Sequence, residues 1–217
     1  MTTTTHEPTL LPVPAALLAR WSHIPVPVAV DLLPTCQISP AIRSLRPAGQ
    51  QPHLCARAAT ARCAAPDFGA VLKSLERVGP GEVLVIDAGG HAANAMIGDV
   101  LGGFLHGRGA AGIICDGAIR DTGTLAKLEG FSVYTRHVTP RGPTGADQGE
   151  VNLPVTIGGC TVNPGDLILG DDDGLAAIPA AQLGELIDAA EARLRLEADW
   201  TRRMAAGEPV SSIFGLD

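Results

Sequence analysis

Aromatic side chains are scarce in this 217-residue chain, which holds four Phe, two Trp and one Tyr. With so few rings to stack on bases, and a net charge of −7 from 23 acidic against 16 basic residues, no nucleic-acid footprint is present. No apolar run reaches the length needed to span a bilayer. The start, Thr2 to Thr5, lacks both the basic region and the apolar stretch of a secretory leader. A cytoplasmic protein with no membrane partner is expected. The five cysteines, Cys36, Cys55, Cys63, Cys115 and Cys160, are odd in number and never spaced as a zinc or redox pair, so they read as reduced structural thiols. The six histidines form no H-E-x-x-H or carboxylate-bracketed pattern. Of these, His91 lies in a candidate site loop, whereas His106 and His137 read as surface or turn residues.

What is present suffices for one substantial core: 46% of the residues are hydrophobic. Residues 1–12, rich in threonine and proline, are expected to be disordered or draped on the surface, and 13–217 to form a single domain. Helical spacing is read over Ala15 to Ser22 and, through Val71, Leu72 and Leu75, over Phe68 to Arg77. A short segment is expected from Val28 to Leu33. Between Ser39 and Cys63, Pro40, Pro47, Gly49 and Pro52 divide the chain into short pieces that read as loop and edge strand. After a polar helix at about Thr122 to Glu129, strands are expected at Ser132 to Thr135, Val151 to Ile157, Leu167 to Leu169 and Leu175 to Ile178. Asp171-Asp172-Asp173-Gly174 resembles the front of a calcium loop, but no glutamate stands at the twelfth position, and a hairpin turn is the better reading. Residues 180–206, with Leu183, Leu186, Ile187, Ala190 and Leu194 in phase, predict a long amphipathic helix.

The most informative pattern is Asp99, twenty intervening residues, and then Arg120-Asp121. The run Val83-Leu84-Val85-Ile86-Asp87 reads as a buried strand leading through the small-residue loop Ala88-Gly89-Gly90 to Gly98-Asp99-Val100-Leu101, which opens a helix. Gly112-Ile113-Ile114-Cys115 is a second such strand, followed by Asp116-Gly117-Ala118-Ile119-Arg120-Asp121. Neighbouring parallel strands joined by a helix would bring Asp99, Arg120 and Asp121 together outside one sheet edge, where α/β proteins bind small ligands. The amides of Val100 and Leu101, in the first helical turn, lack intrahelical acceptors and suit a carboxylate. A cation with two carboxylates outlines a metal-assisted, anion-binding site, although such residues at strand ends also serve as turn formers or surface ion pairs. Gly107 to Gly112 fits G-x-G-x-x-G, but it follows a helix and precedes a strand, the reverse of what dinucleotide binding requires.

The stretches G-E-V-L-V-I-D-A-G-G, G-D-V-L, R-G-A-A-G-I-I-C-D-G-A-I-R-D and T-P-R-G between Gly81 and Gly142, with the later block G-D-L-I-L-G-D-D-D-G, resemble one family. It is that of the 4-hydroxy-4-methyl-2-oxoglutarate aldolases, class II pyruvate aldolases related to the regulator of ribonuclease E activity A. The resemblance covers about residues 66–210 well and the first 65 weakly. It implies an α/β fold of the layered, swivelling phosphohistidine-domain type with a long C-terminal helix, assembled as a homotrimer or homohexamer with sites at subunit boundaries. It further implies that Asp121 holds a divalent Mg2+ or Mn2+ ion, largely through its water shell. Arg120 would meet the keto oxygen of the pyruvate unit, the Gly98 to Leu101 turn, including Asp99 and Val100, would bind its carboxylate, and Asp99 would position a metal-bound water for proton transfer. A glutamate from a neighbouring subunit's terminal helix completes the family's metal shell. Glu197 is the candidate, its alternative being a solvated residue paired with Arg193. Two stretches depart from the family pattern: Pro66-Asp67-Phe68-Gly69 stands where many relatives have an aspartate-asparagine pair, and Ala95-Met96-Ile97 lacks a tryptophan. The far end of the pocket is where these departures would change the substrate.

The activity implied is retro-aldol cleavage of a 4-hydroxy-2-oxo acid, of the 4-hydroxy-4-methyl-2-oxoglutarate or 4-carboxy-4-hydroxy-2-oxoadipate type, releasing pyruvate. Oxaloacetate decarboxylation would be a side reaction through the same enolate. Two alternatives stand beside it: a non-catalytic binding protein like the ribonuclease-regulating relatives, and a specialised-pathway lyase applying the enolate chemistry to another acid.

Overall fold

A computed structural model describes residues 2–216. The chain forms a mixed α/β fold around one large sheet. Its centre is four parallel strands in the order β3 (Leu54–Arg62), β4 (Glu82–Ile97), β5 (Gly112–Ile119) and β6 (Ser132–Val138). Helix α3 (Gly69–Ser74) connects β3 to β4, and α4 (Asp99–Gly107) connects β4 to β5. The four-residue helix α5 (Thr122–Leu125) connects β5 to β6. At one edge, β2 (Arg43–Ser44) pairs antiparallel with β6. At the other, β3 pairs antiparallel with β7 (Glu150–Val151) and with β10 (Leu167–Gly170), which in turn pairs with β11 (Leu175–Ile178). The hairpin of β8 (Val155–Ile157) and β9 (Cys160–Val162) forms a separate two-stranded sheet.

Alternation along the strands explains the layers. Leu84, Ile86, Ile113 and Cys115 share a core with Ala70 and Val71 of α3, Leu105 of α4 and Leu125 of α5. Val83, Val85 and Ile114 point the other way, against Val155, Ile157, Cys160 and Val162 of the β8–β9 hairpin. A third core lies where β10 and β11 meet α1 (Ala15–Trp21), α2 (Val26–Leu32) and α6 (Leu183–Ala205). There the Trp21 indole N–H donates to the Leu183 carbonyl at 3.2 Å. The long amphipathic helix is thus present, preceded by a 3-10 turn at Ala180–Gln182 and followed by α7 (Val210–Phe214).

Several sequence expectations change. The stretch Ser39 to Cys63 is not merely loop and edge: Leu54–Arg62 is a nine-residue strand inside the sheet, with Leu54, Ala56 and Ala58 buried. Its inward residues are mostly alanine, whose small apolar contrast hides the two-residue period. Ala88-Gly89-Gly90 is not a loop that ends the first strand, because β4 continues to Ile97. From the Asp87↔Asp116 pair to the Ile97↔Ile119 pair, β4 spends ten residue steps against three on β5, so the surplus bulges out, with Gly89 and Gly90 at φ 60° and 75°. Near the N-terminus, Thr4–Thr5 adds a short strand, β1, parallel to β7, so this part of residues 1–12 lies on the surface in a fixed register. The expected helix from Thr122 to Glu129 shortens to α5, and Asp171 to Gly174 forms the β10–β11 turn, with the Asp171 N–H donating to the Gly174 carbonyl at 3.1 Å. No helix among the described residues is long and apolar enough to cross a membrane.

Candidate functional site

The predicted triad meets at the ends of β4 and β5. The parallel register continues to Ile97↔Ile119, and the Arg120 N–H donates to the Ile97 carbonyl at 3.1 Å, so Arg120 and Asp121 leave the sheet beside Gly98 and Asp99. Asp121 then turns the chain through a left-handed conformation, φ 57°, and its carbonyl accepts the Thr124 and Leu125 N–H groups that start α5. Its side chain points back across the gap, where Oδ2 accepts the Asp99 N–H at 3.3 Å and lies 3.4 Å from Arg120 Nε. The ladder of α4 begins with the Gly102 N–H donating to the Gly98 carbonyl at 2.9 Å. The amides of Val100 and Leu101 therefore stand outside it, as expected for a helix start.

Close approach at two glycines permits this arrangement. A Cβ on Gly98 would overlap Asp121 Oδ2 and come within 2.9 Å of Arg120 Cγ. One on Gly142 would come within 2.8 Å of Arg120 Nη1. Arg120 thus lies between the turn that opens α4 and the 139–142 segment after β6. That segment is anchored in turn by the bulged part of β4: the Asn94 amide donates to the Gly142 carbonyl at 2.6 Å, and the Ala95 N–H to the Arg141 carbonyl at 2.8 Å.

Asp99, Arg120 and Asp121 open onto a cleft of about 710 Å³, also lined by Thr122, Gly123, Thr124, Lys127, Val138, Thr139 and Pro140. The Arg120 and Asp121 side chains are 44% and 37% exposed, so a ligand can reach both without rearrangement of the core. The donor set suits a hard divalent ion: the Asp99 carboxylate and Asp121 Oδ1 have no protein hydrogen-bond partner among the described residues. No group of three His, Cys, Asp or Glu side chains able to hold a metal occurs among those residues. Oxygen donors of this kind can hold a hard divalent ion through one or two carboxylates while it keeps most of its water shell.

Other candidates fall elsewhere. Glu197 lies on α6, where its carboxylate accepts from Arg193 Nε at 2.7 Å, and within one chain it does not join the triad. His91 contacts the Asn94 side-chain oxygen at 3.2 Å and does not line the cleft, while His106 contacts the Glu129 carbonyl at 3.0 Å and packs edge-on against Phe131. The cysteines are free thiols. Burial pushes the Cys36 thiol up to about 11 and the Cys63 thiol up to about 12, which suits structural rather than nucleophilic roles. Asp67, in the departing stretch Pro66 to Gly69, is buried away from the cleft lining. Its carboxylate accepts N–H bonds from Gly69 at 2.7 Å, Gln148 at 3.0 Å and Asp147 at 3.2 Å. It fixes the far part of the loop that carries Gly142. Sequence reasoning missed Lys127, Thr124 and Asn94; only their nearness to the Arg120-Asp121 pair and to the Gly98 turn could have drawn attention to them.

The model of the RraA-like family, described as aldolase/RraA, matches residues 29–176. A Halalkalibacterium halodurans protein, named provisionally as a 4-hydroxy-4-methyl-2-oxoglutarate aldolase, is 34% identical over 188 residues, covering 83% of this chain and 88% of its own. A Streptomyces coelicolor structure, described as an unusual member of the RNase ES inhibitor RraA protein family, superposes with a TM-score of 0.77 at 26% identity. That match covers 88% of this chain and all of the other. An uncharacterised Pseudomonas syringae protein shares the fold, with a TM-score of 0.81 at 22% identity over 94% of this chain and 98% of its own. The chain belongs to the aldolase/RraA family.

Proposed function

We propose that this protein is a divalent-metal-dependent carbon–carbon lyase that cleaves a 4-hydroxy-2-oxo acid, of the 4-hydroxy-4-methyl-2-oxoglutarate or 4-carboxy-4-hydroxy-2-oxoadipate type, to pyruvate and a second carbonyl compound. The observation that carries this reading is the convergence of Asp99, Arg120 and Asp121 on one cleft, beside the free amides that open α4. Breaking the C3–C4 bond sends an electron pair into the pyruvate carbonyl, so negative charge grows on the keto oxygen. Arg120 is the cation in the triad able to donate to that oxygen, and the Val100 and Leu101 amides suit the C1 carboxylate. Asp99 is the base that takes the C4 hydroxyl proton, directly or through one water, and returns a proton to C3. Asp121 would hold the magnesium or manganese ion, which supplies positive charge against the enolate when bound.

The same enolate would form if oxaloacetate lost carbon dioxide, so decarboxylation is the expected side reaction. The family's other described role, inhibition of an RNase, supplies the competing reading, in which the cleft binds a ligand without turnover. Pyruvate release from 4-hydroxy-2-oxo acids, measured with magnesium and with excess chelator, separates the two. Metal-dependent release supports the lyase, whereas ligand binding without release from any member of the panel supports the binder.

A further inference from the structure

Lys127 stands on the wall of the same cleft, six residues beyond Asp121, after α5 has made its single turn. Its backbone N–H donates to the Thr124 carbonyl at 3.1 Å, which fixes its position relative to the triad. Its ammonium has no ion-pair or hydrogen-bond partner among the described residues. In this it differs from Arg120, which already has Asp121 3.4 Å away. Thr122, Thr124 and Thr139 line the same cleft, their hydroxyls also without a hydrogen-bond partner among the described residues. An unpaired ammonium among free hydroxyls in a cleft is a site for an anion, and it is separate from the groups assigned to the keto acid end.

We infer that Lys127 is a specificity-determining residue that binds the distal carboxylate of the substrate, so that the cleft selects 4-hydroxy-2-oxo diacids over monoacids of the same backbone. This rests on the lyase reading above. The distal carboxylate carries the same charge before and during bond cleavage. Its contact with Lys127 therefore stabilises ground and transition states alike, and its removal appears in KM rather than in kcat. A charge-assisted hydrogen bond in a partly exposed cleft supports a change of about tenfold.

The test compares kcat/KM for 4-hydroxy-2-oxoglutarate and 4-hydroxy-2-oxopentanoate, with magnesium, in the wild type, Lys127→Met and Lys127→Arg. The wild type should favour the diacid. Lys127→Met should lower the diacid-to-monoacid ratio about tenfold through the KM for the diacid, and Lys127→Arg should restore most of it. In parallel, titration calorimetry with the uncleavable diacid 2-oxoglutarate and the monoacid 2-oxobutanoate should show the same loss of preference in Lys127→Met. If the wild type releases pyruvate yet Lys127→Met keeps the diacid preference, or loses both substrates equally, Lys127 does not read the distal carboxylate. If the wild type releases pyruvate from neither of these, nor from 4-hydroxy-4-methyl-2-oxoglutarate or 4-carboxy-4-hydroxy-2-oxoadipate, the lyase reading fails instead.

Discussion

Gly98→Ala separates placement of the triad from stability of the fold. Gly98 has φ −144° and ψ −162°, extended backbone that alanine adopts without strain. The added methyl is the whole perturbation. It would overlap Asp121 Oδ2 and come within 2.9 Å of Arg120 Cγ and 3.2 Å of Arg120 Nε, where ordinary contacts are about 3.5–4.0 Å. Both side chains end in solvent-accessible groups and can swing away, so the core need not move. Alanine at a helix N-cap in place of glycine costs at most about 1 kcal/mol, or roughly 2–4 °C in Tm for a chain of this size. Displacing Arg120 from a growing oxyanion should cost on the order of 100-fold to 1,000-fold in kcat. The assay pairs magnesium-dependent pyruvate release with thermal melting. A kcat within threefold of wild type would refute the assigned role of this geometry, and a fall in Tm beyond about 10 °C would show that the fold, not the site, had been hit.

Three further outcomes follow from the same structure. Arg120→Lys should lose nearly as much kcat as Arg120→Ala, for oxaloacetate decarboxylation and retro-aldol cleavage together, because a single ammonium cannot reproduce the planar fork; near-normal turnover of both would reduce Arg120 to a charge partner of Asp121. Burial opposes ionisation of Asp67, but the amide bonds from Gly69, Gln148 and Asp147 outweigh it and hold the carboxyl below its ordinary range. A depressed folded value adds stability above the unfolded value near 3.9 that is lost as pH falls through the folded one. The Tm deficit of Asp67→Asn, about 1–3 kcal/mol in stability, should therefore be largest at neutral pH and shrink below about pH 4, and a deficit independent of pH would contradict this. If the chain assembles as a trimer or hexamer with Glu197 reaching a neighbour's Asp121, Glu197→Ala should weaken magnesium affinity; a change in thermal stability alone would leave Glu197 as the partner of Arg193.

The central strands were legible in the sequence because Val83 to Ile86 and Ile113 to Cys115 are buried on both faces and read as unbroken apolar runs, and neighbouring parallel strands of this kind bring the segments after them, Asp99 and Arg120-Asp121, to one end of the sheet. Strand β3 was not legible, because Ala56 and Ala58 carry its inward face with little hydrophobic contrast. The extension of β4 through Gly89 and Gly90 was hidden as well, since two glycines at positive φ look like a loop whether the chain leaves the sheet or bulges within it. Gly142 and Asn94 became visible only in three dimensions: Gly142 approaches Arg120 from more than twenty residues further along the chain, and Asn94, from more than twenty residues before Arg120, anchors Gly142.

The claim at the centre of this account is that Arg120 and a metal held at Asp121 stabilise an enolate of pyruvate while Asp99 moves its proton. Proton NMR of pyruvate in deuterated water measures that step without reference to the aldol substrate, since each enolate formed and requenched replaces a methyl proton by deuterium. The account predicts exchange by the wild-type protein with magnesium, its loss in excess chelator, and its loss in Arg120→Ala and Asp121→Ala that still melt as folded proteins. Exchange by the wild type no faster than in buffer, or undiminished exchange in Arg120→Ala, would contradict it.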